Sequence, residues 1–207
     1  MNLKIVVLLI LCFFVNKIYS QSNEIVNPIG KWFFGAELGL NAITSVHKSR
    51  MTAIQGGLLS EYYFAERWSL TARLKYFETG VTRGKNSENG FFEGAVLAVP
   101  INIKWHYRIY NNFSGNFKMG FALNQEIKSM YYYPADVKTD YSKLYGSFNP
   151  GLGFNYFISD QTAVYINYEV YVLGNERDDF NSYGIVPNSP NNNLLNIGLK
   201  YNFKKVN

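Results

Sequence analysis

NIGLKYNF, residues 196–203, is the stretch on which the fold turns. With Leu195 before it, every second place is apolar: Leu195, Ile197, Leu199, Tyr201 and Phe203. Asn196, Gly198, Lys200 and Asn202 stand between them. A period of two is a strand signal, because successive side chains point to opposite faces. It leaves open which face is inside. In a soluble barrel or sandwich the apolar face packs inward and Lys200 meets water. In a barrel set in a membrane the apolar face meets lipid and Lys200 is enclosed.

Seven earlier segments repeat the alternation, each near the ~9–11 residues that a tilted membrane strand needs. They span about 32–41, 53–64, 68–78, 92–107, 116–129, 144–157 and 162–173. In the third, Trp68, Leu70, Ala72, Leu74 and Tyr76 oppose Ser69, Thr71, Arg73, Lys75 and Phe77. Pro100 and Pro150 fall inside segments. Each removes a ladder donor and predicts a bulge or weakened pairing. The connections at 65–67 and 158–161 are short and 108–115 is intermediate. Those at 42–52, 79–90, 130–143 and 174–192 are longer and polar. Short turns on one rim and long loops on the other are the habit of membrane barrels, and an even strand number puts both chain ends on the short-turn rim.

The chain begins with a short basic start, an apolar run over 5–15 and a more polar end at 16–20. That is the layout of a secretory signal peptide, with cleavage expected after Ser20. Residues 21–30 then form a polar lead, and 31–207 one barrel domain. Cys12, the single cysteine, lies within the leader, so disulfide and thiolate chemistry are excluded from the mature chain. The formal net charge is +5, of which the leader supplies Lys4 and Lys17, too little and too dispersed for a nucleic-acid partner. No later segment offers the ~20 consecutive apolar residues of a membrane helix, so a spanning chain must cross as closed strands.

Which face is inside follows from where the charges sit. Glu37, Glu61, Arg73, Lys75, Lys104, Lys118, Glu126, Lys128, Glu169 and Lys200 all fall on the non-apolar face. The apolar face is continuous on all eight segments. Its large aromatics gather near the short-turn ends: Phe64, Trp68, Trp105, Tyr107, Tyr156, Tyr201 and Phe203. Tyr and Trp with an apolar body and a polar tip form the girdle of a barrel at the headgroup level. Charged residuals make up 17% of the chain, below the roughly 25% of soluble domains. The reading is all-β: an eight-stranded antiparallel up-and-down transmembrane barrel in an outer membrane, apolar face outward, charges inward, both termini periplasmic. Lys200 then has Glu37, Glu61, Glu126 and Glu169 as possible partners.

Three stretches carry a family resemblance: GLKYNF (198–203), LSEYYFAERWSLTARLKY (59–76) and AVPINIKWHY (98–107). The chain resembles the outer-membrane protein beta-barrel family that includes PorT-like and OmpA-anchor-like small barrels. The resemblance implies that Gly198, Tyr201 and Phe203 form the C-terminal signal read by the barrel-assembly machinery. The tail 204–207 departs from members that stop at the aromatic. No peptidoglycan-binding domain follows, so the anchor role of longer relatives is not implied.

For the chemistry, about eight strands leave an interior just filled by side chains, so the inward charges read as a packed ion-pair core. A gated polar pathway or proton relay is the alternative. A lipid-A-modifying hydrolase would need a base and a nucleophile at fixed spacing. His47 with Ser45 and Ser49 lies in a loop, and His106 lies at the opposite end. The run Glu176, Asp178 and Asp179 has no calcium-loop pattern and reads as a solvated loop, so no metal or cofactor is expected. Tyr131, Tyr132, Tyr133 and Tyr141 are candidate contact residues or an upper girdle. The functional expectation is a non-enzymatic barrel with a structural or interaction role. It would act through its long loops or as accessory to a membrane assembly such as a secretion complex. A small polar pore is the alternative and a lipid-A-modifying enzyme the further one. Expected partners are outer-membrane lipids and lipopolysaccharide, the assembly machinery and a membrane protein.

Overall fold

Each alternating segment forms a strand that pairs antiparallel with the next. The computed structural model describes residues 26–44, 50–81, 91–132, 144–172 and 191–203. The elements are β1 (Trp32–Thr44), β2 (Arg50–Ala65), β3 (Trp68–Val81), β4 (Phe91–Tyr110), β5 (Phe113–Tyr132), β6 (Leu144–Phe148), β7 (Gly151–Phe157), β8 (Thr162–Tyr171) and β9 (Asn191–Tyr201). β9 returns to pair with β1, from Phe34↔Tyr201 to Thr44↔Asn191, and β4 pairs with β5, so the sheet closes on itself. Closure leaves no open edge, which is the condition for strands to sit in hydrocarbon.

β6 and β7 are two halves of one barrel strand, so the barrel has eight. Both pair with β5 in one register, Phe121↔Phe148 and Lys118↔Gly151, with Pro150 at the gap. The other expected weak point behaves alike. The β3–β4 ladder passes from Ala72↔Ile101 to Lys75↔Ala98 without pairs between, while Pro100↔Ala122 holds on the β5 side. The missing proline N–H explains both.

The strands run longer than the alternation suggested. β4 and β5 continue to a tight turn at Asn111 and Asn112, where an intermediate loop over 108–115 was expected; Asn111 has a positive φ of 25°. At the other rim, pairing extends into the expected loops as far as Thr44, Arg50, Val81, Tyr132 and Asn191. The side chains turn polar there, but a ladder once begun continues by backbone hydrogen bonds, with two neighbours at Thr44 and one at Val81 and Tyr132. The expected leader with Cys12, the polar loop run 176–179, His47, Tyr133, Tyr141 and the tail 204–207 lie outside the described residues.

The wall is inverted relative to a soluble protein. Leu38, Ile54 and Phe121 are about two-thirds exposed or more, while Glu61, Lys75, Glu169 and Lys200 are wholly enclosed. Inside are three layers. Phe33, Tyr63, Phe157 and Ala163 close the short-turn end, with Val26 of the lead against them. Phe77, Val96, Ala98, Ala122, Tyr171 and Leu194 close the other. The charges lie between.

Two of the closely approached glycines lie under the ring of a cross-strand tyrosine. A Cβ on Gly198 would run into the ring of Tyr165, its inward cross-strand partner, and come within 2.7 Å of the Ala36 carbonyl oxygen. Gly115 is covered in the same way by its partner Tyr107 on the outer face. Gly198→Val should therefore cost about 1–3 kcal/mol of folding stability by overpacking. The readout is a lower urea midpoint for the heat-modifiable, fast-migrating form on gels. An unchanged midpoint would show that Tyr165 does not rest on Gly198.

Candidate functional site: the enclosed charge network

Alternation on four strands converges on one carboxylate. Glu169 of β8 accepts from Arg73 Nη1 (3.0 Å) and Nη2 (2.6 Å) on β3, and from Lys118 Nζ (2.7 Å) on β5. It also accepts from Asn196 Nδ2 (2.9 Å) on β9 and from Lys75. Glu37 of β1 takes the other side of the same cations, with Lys75 Nζ at 2.6 Å and Arg73 Nη1 at 3.5 Å. The Tyr165 hydroxyl donates to Glu37 Oε2 at 2.9 Å. Arg73 Nη2 further donates to Asn102 Oδ1 (2.9 Å) and Asn149 Oδ1 (3.1 Å). Asn149 borders the gap at Pro150 and Arg73 faces the lapse at Pro100, so both proline sites adjoin this guanidinium.

A second group lies toward the short-turn end. Glu61 of β2 accepts from Lys200 Nζ (2.7 Å) and Ser69 Oγ (2.7 Å), with Lys104 Nζ at 3.2 Å. Lys200 therefore pairs with Glu61, among the four carboxylates available to it. Its ammonium also donates to the Tyr63 hydroxyl (2.8 Å) and Asn155 Oδ1 (3.0 Å). It lies 5.2–5.8 Å from the ring centroids of Phe33, Tyr63, Phe157 and Tyr165. Ion pair, hydrogen bonds and cation–π contacts together compensate its desolvation.

Ser69, His106 and Glu61 lie within bonding reach, but not as a nucleophile with its base. The Ser69 hydroxyl donates to Glu61, so its contact with His106 Nε2 (2.8 Å) is one in which the imidazole N–H donates. Ser69 is also fully enclosed, out of reach of a substrate.

Glu126 is buried on β5 nearer the long-connection rim. Lys128 departs from the expected interior set: it is exposed, opposite Ala95, where a bulge shifts the β4–β5 register. The extra residue on β5 turns its alternation over, so Lys128 shares the row of Ala95 and Glu78, which lies between the inward Phe77 and Thr79. Among the outer aromatics, Phe64, Trp68, Tyr201 and Phe203 are exposed, and Trp105, Tyr107 and Tyr156 half-buried. Phe203 packs on Phe34 and Tyr201 at 6.0 and 5.1 Å, and Trp105 stacks on Phe117 at 6.1 Å. Tyr131 and Tyr132 pair with Phe92 and Phe91, and their side chains lie outside what is described.

The neutral members Asn102, Asn149, Asn155, Asn196, Ser69, Tyr63 and Tyr165 escaped the sequence reading of the site. Their inward place in the alternation was the available signal.

A greasy outer wall around enclosed ion pairs, closed by eight strands, is the architecture of an outer-membrane barrel. The model of the outer membrane protein beta-barrel domain matches residues 13–203. The chain belongs to that family. No curated protein matches this barrel in sequence. Among solved structures it is similar to Ail, the attachment invasion locus protein of Yersinia pestis, at 13% identity and a TM-score of 0.55, over 84% of this chain and 99% of that one. Neisserial surface protein A gives 8% and 0.59, over 83% and 97%. OprG of Pseudomonas aeruginosa gives 12% and 0.50, over 87% and 100%. At these identities the likeness concerns the fold. It agrees with the eight-stranded all-β barrel, while the outer-membrane location follows from the family.

Glu169 is the shared anion of three cations, so its loss should be felt more than the loss of any one of them. Glu169→Gln should destabilise the barrel by about 3–5 kcal/mol, the range for stranding buried partners. Lys118→Met should cost less, since Arg73 and Lys75 still hold Glu169. Urea titration of both variants in the same lipid tests the order; an equal or reversed cost would contradict it.

Proposed function

We propose that this barrel is a closed, non-conducting and non-enzymatic membrane scaffold that presents its long connections to a partner. The single observation that carries the reading is the filled interior. Ion pairs cross from β8 to β3 and β5 and from β9 to β2, with an apolar layer on either side. A solute following the axis would have to part both apolar layers and several enclosed ion pairs. In this reading the short-turn rim faces the periplasm. Gly198, Tyr201 and Phe203 serve the assembly machinery, and the outer aromatics meet outer-membrane lipid and lipopolysaccharide. The segments at 82–90, 133–143 and 173–190 contact the partner, another membrane protein or an assembly such as a secretion complex.

Two measurements test the halves of this proposal. The purified barrel in planar bilayers should give no stepwise conductance. Steps that change when Lys104 and Lys200 are both replaced by Gln would instead make it a small pore. Particles extracted from outer membranes in mild detergent should contain a stoichiometric partner. Deleting 133–143 should leave the folded gel mobility intact and reduce the particle to the lone barrel. An unchanged particle would reject contact through that segment.

A further inference from the structure

On the short-turn rim the β4–β5 hairpin stands past the β2–β3 turn, beyond the closed part of the wall. Pairing of β3 with β4 ends at Trp68↔Trp105, whereas β4 and β5 go on pairing to Tyr110↔Phe113. Past that point a single bond, from His106 N to the Arg67 carbonyl (2.7 Å), ties the β2–β3 turn to β4. A cavity of about 310 Å³ opens here, at the small end of the range for ligand pockets. Its lining includes the buried Tyr63, Phe157 and His106, which make the floor, and the exposed Arg67 and Arg108. The lead crosses its far side, where Val26 N donates to Asn112 Oδ1 at 3.3 Å.

The charge around this cavity is net positive. Arg67 and Arg108 face it with Glu66 as the acid in its lining. Directly beneath the floor, Glu61 is paired with both Lys104 and Lys200, which leaves one surplus positive charge in that enclosed group. Charge in a poorly screened interior acts at longer range than charge in water, so the surplus adds to the field of the two guanidiniums. A guanidinium is flat, permanently charged and suited to two-pronged contact with a phosphate. The cavity is also bordered by the outer aromatics Trp105 and Tyr107, which mark headgroup depth.

We propose that this cavity is a binding site for a phosphate ester of glycerol size. Arg67 and Arg108 take the phosphate, and the organic part lies on Tyr63 and Phe157. Two sources share that chemistry: the headgroup of an anionic phospholipid entering through the gap beside β4, or a soluble phosphate ester from the aqueous side.

Native mass spectrometry of the whole barrel, released from dodecyl maltoside, tests this with two probes: dihexanoyl phosphatidylglycerol and glycerol 3-phosphate. One molecule per barrel should be retained. Arg67→Ala with Arg108→Ala should weaken retention at least tenfold; both side chains are exposed, and the gel shift verifies folding. Ser114→Phe, which fills the cavity and keeps both arginines, should weaken it as well. Retention of the phospholipid alone supports the lipid source, and equal retention of glycerol 3-phosphate supports the soluble one. The proposal is overturned if neither probe gives a one-to-one complex, or if both variants retain the probes as the parent does.

Discussion

A Lys or Arg turned into hydrocarbon at mid-membrane costs roughly 2–4 kcal/mol, and that cost governs the rest of this structure. Side chains alternate, so a one-residue slip of any strand exchanges its faces. A slip of β3 would present Arg73 and Lys75 to lipid and draw Leu70 and Leu74 inward. A slip of β9 would do so with Lys200. Every strand with an inward charge therefore holds its register against both lipid and neighbours. The apolar outer face, from Leu38 and Ile54 to Ile197, adds the favourable half of the same constraint.

Among the described residues the enclosed charges are satisfied chiefly by one another. Glu169 answers three cations and Glu61 two, with asparagines and tyrosines bonding further to the same charged groups. Such a network adds little net stability over an apolar filling, since desolvation offsets the Coulomb attraction. Its effect lies in geometry. Arg73 can reach Glu37, Glu169, Asn102 and Asn149 together only when β1, β3, β4 and β8 stand at one height and β6 joins β7 beside them. The network thus ties strands distant in sequence into one stagger and fills the lumen.

The period-two pattern made most of this wall legible: eight strands, a greasy outside, enclosed charges and weak pairing at both prolines. It worked because lipid imposes one rule on every strand. Pairing inside the barrel was not legible. Whether Lys200 meets Glu61 or Glu169 depends on the stagger accumulated around all eight strands, and no local stretch encodes that. The inward Phe33, Phe77 and Phe157 were also hidden in meaning, for an aromatic on the polar face reads as noise until the apolar layers that close the lumen are seen. The change of face at Lys128 belongs to the same class, because nothing in the local alternation marks the bulge that shifts β5 there.

Cysteine accessibility tests the enclosed, filled interior most directly, since Cys12 is the single native cysteine and lies in the expected leader. Thr71→Cys and Asn196→Cys place a thiol among the inner charges, and Leu38→Cys and Ile197→Cys place one on the outer wall. The account predicts that a water-soluble methanethiosulfonate leaves all four unmodified in the folded barrel, and that a lipid-soluble maleimide labels the two outer positions alone. Rapid modification of Thr71→Cys or Asn196→Cys by the water-soluble reagent would contradict it and show a water-filled passage through the charges.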